Sequence, residues 1–169
     1  MIRPILKFGE TPLYARAADV GELTSDIQKL IDDMIETMYA APGIGLAAPQ
    51  IGVSLRIFVV DLSLGHKPDD LMVFVNPEFV ELEGMQLEEE GCLSVPGFNA
   101  TVARPMRAVV RGLDRAGTLR TVEGKDLLAR AFQHEMDHLD GKVFLDRVRG
   151  IKRDLIVKKI RKMARAGKW

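Results

Sequence analysis

His134 and His138 stand four residues apart with Glu135 between them, in a stretch from about Lys125 to Leu139 that reads as a helix stopped by Gly141. No other feature of the chain restricts its fold so tightly. Residues at this spacing lie one above the other on a helix, so both imidazoles project from one face. Two nitrogens fixed in that way suit a divalent transition metal. Leu127 and Ala131 share the face, which is therefore expected to point inward. Glu135, one position along, can reach a water on such a metal without ligating it. The plainer alternative is a charged helix whose histidines are polar core residues.

A third ligand has to come from elsewhere in the chain. No glutamate follows Glu135, which removes the glutamate-ligand arrangement of familiar zinc peptidases. The pattern His-Glu-x-x-His-x-x-Gly-x-x-His holds through Gly141 and then fails, because Phe144 stands where the last histidine belongs. Asp146 and Asp154 leave an aspartate-ligand peptidase open. Upstream stands the only cysteine, Cys92, in Glu90-Gly91-Cys92-Leu93-Ser94-Val95-Pro96, between a candidate strand and a proline-punctuated loop. A lone buried cysteine is common. Beside a two-histidine helix, however, a thiolate and a water complete an open four-coordinate site of the catalytic kind.

With 169 residues the chain is long enough to bury a core as one domain, residues 1–169. Leu23, Ile27, Leu30, Ile31, Met34, Ile35 and Met38 recur at helical spacing and predict a helix over Ser25 to Ala40. Ser25 with Gln28 forms a capping box, and Pro42-Gly43 closes the segment. Strands are expected at Leu55 to Leu62, Leu71 to Val75 and Glu78 to Leu82, with Asn76-Pro77 as a turn and a weaker strand at Gln86 to Glu90. Ala108 to Leu113 and Leu119 to Val122 flank a hairpin turn. A last helix covers about Ile151 to Ala166. The expected class is α+β, with mostly antiparallel sheets around the helix that carries the two histidines, and helices toward both ends. No apolar run reaches the roughly 18 residues of a spanning helix. The opening Met1 to Lys7 lacks a secretory pattern. One cysteine permits no internal disulfide, so a cytoplasmic location is expected.

A third segment, Gly43-Ile44-Gly45-Leu46-Ala47-Ala48-Pro49-Gln50, combines small residues with glycines that permit close approach. Taken together, Gly43 to Gln50, Glu90 to Ser94 and His134 to Gly141 resemble, in order and without mismatch, the three motifs of the bacterial-type peptide deformylases. The resemblance runs over essentially the whole chain. It implies hydrolysis of the formyl group from N-terminal formylmethionine on new polypeptides, with release of formate. Cys92, His134 and His138 then hold the metal, and Glu135 is the general base and acid. Gln50 and the backbone N–H of Leu93 stabilise the oxyanion. Ile44, Gly45, Glu90, Leu127 and Ala131, with the ring of His134, line the methionine pocket. The resemblance further implies Fe(II), with zinc, nickel or cobalt as replacements. Two residues depart from the family pattern. Arg130 stands where many members have an aliphatic residue, and Asn99 where many have an arginine in the loop after Pro96.

Lys and Arg balance Asp and Glu at 24 each, but not evenly along the chain. From Gly150 onward eight basic residues face one acid, Asp154. Ile151, Leu155, Ile156, Ile160 and Met163 make the segment an amphipathic helix with a basic face. That face is either simply solvated or a contact for RNA phosphates, and the family resemblance points to the ribosome. Neither a membrane nor DNA is expected as a partner. A non-enzymatic RNA-binding module would instead need a fourth protein ligand closing the metal site, and the remaining histidine, His66, sits in a polar turn.

Overall fold

The computed structural model describes residues 1–169, in three helices and seven strands. Helix α1, Ser25–Ala40, begins where the Thr24 hydroxyl accepts the Ile27 N–H at 3.3 Å, one residue before the expected cap. An oxygen there satisfies an amide that no helical carbonyl reaches. The face predicted by spacing is buried: Leu30, Ile31, Met34 and Met38 pack with Leu46, Ile57, Val59 and Val75.

Strands β1 (Gly45–Ala47), β2 (Ile57–Val60), β3 (Met72–Glu83), β6 (Arg107–Leu113) and β7 (Leu119–Lys125) form a five-stranded sheet in that spatial order, antiparallel throughout. Strands β4 (Gln86–Cys92) and β5 (Val95–Arg104) pair as a separate antiparallel ribbon. This is the α+β architecture expected from the order of elements. Helix α2, Asp126–Leu139, packs on β1, β2, β6 and β7. Phe132 on α2 meets Phe74 edge-on at 5.4 Å, and Phe58 lies 5.0 Å from Phe74. Such pairs add ~0.5–1.5 kcal/mol each beyond area burial, and they hold the helix at a definite height on the sheet. Its far end is tied by buried Arg56, which donates to the Leu139 carbonyl at 2.9 Å and pairs with Asp140 at 3.0 Å.

Three local expectations differ from the structure. Asn76-Pro77 does not end a strand. β3 runs through it with a register shift, Asn76 adopts φ 53°, and its amide bonds both the N–H and the carbonyl of Val20. The turn chemistry was real, but tertiary partners use it for a bulge. Strand β5 occupies what reads as a loop after Pro96, so Asn99 lies in a strand, opposite Gly91. Helix α3, Ile151–Arg165, buries Ile156, Val157 and Ile160 against Val95, Val102 and Phe144, while Ile151 and Leu155 face outward. No helix is long and apolar enough to cross a membrane.

Candidate metal centre and active site

One turn of α2 aims two imidazoles at the end of β4. Cys92 Sγ lies 3.4 Å from His138 Nε2, which is 3.3 Å from His134 Nε2. One ligand atom from each of these residues falls within 4.8 Å of the others, and no other group of three His, Cys, Asp or Glu side chains has metal-site geometry. Asp146 caps the Val143 N–H and pairs with Arg153, so it is engaged elsewhere. Two imidazole nitrogens and a sulfur with converging lone pairs repel unless a cation stands between them. This donor set suits a soft or borderline divalent metal with an open position.

The orientation of His134 follows from Glu90. Nδ1 lies 2.6 Å from Glu90 Oε2, and a carboxylate only accepts, so Nδ1 carries the proton and Nε2 points at the centre. Glu90 is buried and also takes both arms of Arg104, at 2.7 and 2.6 Å, and Arg130 Nη1 at 2.8 Å. Burial acts to raise its pKa, but the Arg104 fork and His134 hold it well below the usual carboxylate range. Arg104 continues to Asp137 at 3.0 Å, and Arg147 grips Asp137 twice at 2.7 Å. Removing one member of such a buried set leaves an unpaired charge, at a cost of about 3–5 kcal/mol. Arg104 and Asp137 were not anticipated from sequence. The available signal was Glu90 itself, since an acid that becomes buried needs a counter-charge.

Burial also opposes a charge on His134, but the charge on Cys92, and then Glu90 and Glu135, hold its pKa well above the ordinary histidine value. His138 moves the opposite way, through burial and the neighbouring His134. Glu135 sits beside this centre, its Oε1 4.0 Å from His134 Nε2, and its Oε2 is buried with no hydrogen-bond partner. Burial pushes Glu135 up to about 7, against the opposing pull of His134. A carboxyl poised there suits proton transfer near neutrality.

Ile44, Gly45, Gln50, Glu90, Cys92, Leu93, Leu127, Ala131, His134 and Glu135 all line one cavity of about 730 Å³, and His138 is buried beside His134. Leu127 is half-exposed at this cavity, so the helix face turns toward an open pocket rather than a closed core. Gln50 Oε1 accepts the Ala47 N–H at 3.0 Å, leaving Nε2 toward Ser94 Oγ at 3.1 Å and Cys92 Sγ at 3.8 Å. The glycines of the first motif have a steric reason. A Cβ on Gly45 would come within 2.8 Å of Glu135 Oε1, and one on Gly43 within 2.7 Å of Leu93 Cδ1. His66 is exposed, and its Nδ1 lies 2.8 Å from the Ser63 carbonyl rather than against any of these residues.

The polypeptide deformylase family model matches residues 2–154. A peptide deformylase of Acidobacterium capsulatum is 50% identical over 169 residues, covering 100% of this chain and 99% of the relative. Among solved structures, a peptide deformylase from Legionella pneumophila matches with a TM-score of 0.92 at 44% identity, over 99% of this chain and 98% of that one. A peptide deformylase from Synechococcus elongatus in complex with actinonin matches with a TM-score of 0.89 at 35% identity, over 94% and 89%. Sequence, fold and chain length agree from end to end, and the chain belongs to the polypeptide deformylase family.

Proposed function

We infer that this protein is a metal-dependent hydrolase that removes the formyl group from the N-terminal formylmethionine of new polypeptides. The observation that carries the reading is the meeting of Cys92, His134 and His138 beside the unpartnered Glu135 carboxylate, at the wall of a cavity wide enough for a side chain. When bound, the metal supplies Lewis acidity that lowers the pKa of a water and polarises the formyl oxygen. Glu135 accepts the proton of the attacking water and later delivers it to the leaving amine. Gln50 Nε2 and the Leu93 backbone N–H donate to the formyl oxygen as it becomes negative. The Ala47 bond to Gln50 Oε1 supports that role by leaving the amide no reason to flip. Ile44, Gly45, Leu127 and Ala131 receive the methionine side chain, an unbranched group suited to a narrow apolar slot. Formate release from formyl-Met-Ala-Ser by anaerobically purified, metal-loaded protein tests the reading, and silence from such protein would refute it.

Gln50→Ala is expected to lower kcat by roughly 100- to 1,000-fold, the usual cost of one oxyanion donor. Metal content should stay at the wild-type level, since Gln50 only approaches Cys92 at 3.8 Å. Loss of metal in that variant would remove the oxyanion role.

Fe(II) is the native metal in this reading. Zinc binds such a donor set more tightly than ferrous iron, so availability in the cell decides. Zinc, nickel and cobalt are expected to replace it, and air to inactivate the iron form as iron and thiolate oxidise. New formylated chains place the activity in the cytoplasm. The exposed Lys158, Lys159, Arg161 and Lys162 of α3 support a contact with ribosomal RNA. Deleting α3 would expose the core under Ile156 and Ile160, so charge reversal is the cleaner test. Replacing those four residues by Glu is expected to abolish ribosome co-sedimentation at low salt and leave tripeptide deformylation unchanged. Undiminished co-sedimentation would end the ribosome reading.

A further inference from the structure

Arg130 brings a charged side chain to the wall of the cavity, where a methionine slot calls for apolar surface. It is 3% exposed, whereas Leu127, one helical turn before it on the same cavity wall, is 50% exposed, so Arg130 stands at the deep end. Its Nε, Nη1 and Nη2 donate to Gln86 Oε1 at 3.3 Å, Glu90 Oε1 at 2.8 Å and the Val102 carbonyl at 2.8 Å. These bonds pin the group, yet each terminal nitrogen retains a second hydrogen.

Its charge is matched only through a shared partner. Glu90 pairs with Arg104 through two hydrogen bonds, and Asp137 pairs with Arg147 through two more. Arg130 therefore shares its single ionic partner, Glu90, with the Arg104 fork. A buried cation whose only counter-ion is shared favours a further acceptor. Glu90 next to it disfavours a carboxylate and leaves a neutral, strongly polar oxygen as the best match.

We propose that Arg130 is a specificity residue that presents hydrogen-bond donors at the deep end of the side-chain cavity to a substrate tip bearing an oxygen acceptor, as in methionine sulfoxide. The proposal rests on the deformylase reading. Against a wholly apolar wall a sulfoxide oxygen loses its water without compensation, a penalty on the order of 10- to 100-fold in kcat/KM. A donor in place relieves it. Formylated chains whose first methionine has been oxidised are then still processed.

The test compares kcat/KM for formyl-Met-Ala-Ser, its methionine sulfoxide counterpart and formyl-norleucyl-Ala-Ser. Metal-loaded wild type, Arg130→Leu and Arg130→Lys are each assayed for formate. Wild type is expected to use the sulfoxide within about tenfold of methionine. Arg130→Leu should lower the sulfoxide-to-methionine ratio by about tenfold or more and leave norleucine-to-methionine unchanged, with Arg130→Lys between. An equal sulfoxide-to-methionine ratio in wild type and Arg130→Leu overturns the proposal. Should Arg130→Leu not fold, a wild-type preference for methionine over the sulfoxide beyond about tenfold overturns it equally. Failure of wild type on formyl-Met-Ala-Ser is a separate result, which strikes the deformylase reading itself.

Discussion

Glu135→Ala, loaded with metal to the wild-type level, is expected to release formate from formyl-Met-Ala-Ser roughly 100- to 10,000-fold more slowly than wild type. The expectation follows from where the carboxylate stands. Oε2 is buried without a partner, so truncation breaks no hydrogen bond there. Truncation therefore removes a proton carrier and little else, and kcat should fall with KM nearly unchanged. β1 also approaches closely here, so that a Cβ at position 45 would come within 2.8 Å of Glu135 Oε1. Single-turnover formate release and metal analysis on the same preparation check it. A metal-replete Glu135→Ala variant within tenfold of wild type would remove Glu135 from proton transfer.

Cys92→Ala and His138→Ala are expected to lose the metal and the activity together. Loss of an outer hydrogen-bond partner typically weakens a metal site by about 10- to 100-fold, and loss of a ligand should cost more. Dialysed protein should then retain little metal, and formate release should drop to background. The contrast with Glu135→Ala is diagnostic: one variant keeps metal and loses rate, the others lose both. Chelation of wild type should produce the same loss, with recovery on adding Fe(II), nickel or cobalt under anaerobic conditions. Full metal retention by dialysed Cys92→Ala would reopen the aspartate-ligand alternative, with Asp146 released from Val143 as the first suspect.

Sequence by itself determined what lies within a few residues along the chain. The buried stripe of α1 and the shared face of His134 and His138 follow from helical period, which depends on no distant partner. Residue type made Cys92 a candidate ligand beside the aspartate alternatives, and the three motifs carried the family. The weaker readings were all non-local. β5 was hidden because its buried alternation ends on Arg104, a charge where an apolar residue would mark a strand. Asn76-Pro77 read as a turn because the Val20 backbone that converts it to a bulge lies 56 residues away. In α3 the period was right, but docking chose Val157 for the core and left Ile151 and Leu155 in water.

Only the tertiary structure decided the electrostatics that make the site work. Glu90 meets Arg104 at a separation of 14 residues, Arg130 at 40 and His134 at 44. No periodicity relates those positions. The free energy of a buried charge depends on what surrounds it in three dimensions. The chain therefore states in one dimension which candidate ligands are present, whereas their tautomer, field and unspent donors come into being when the strands and α2 close around them.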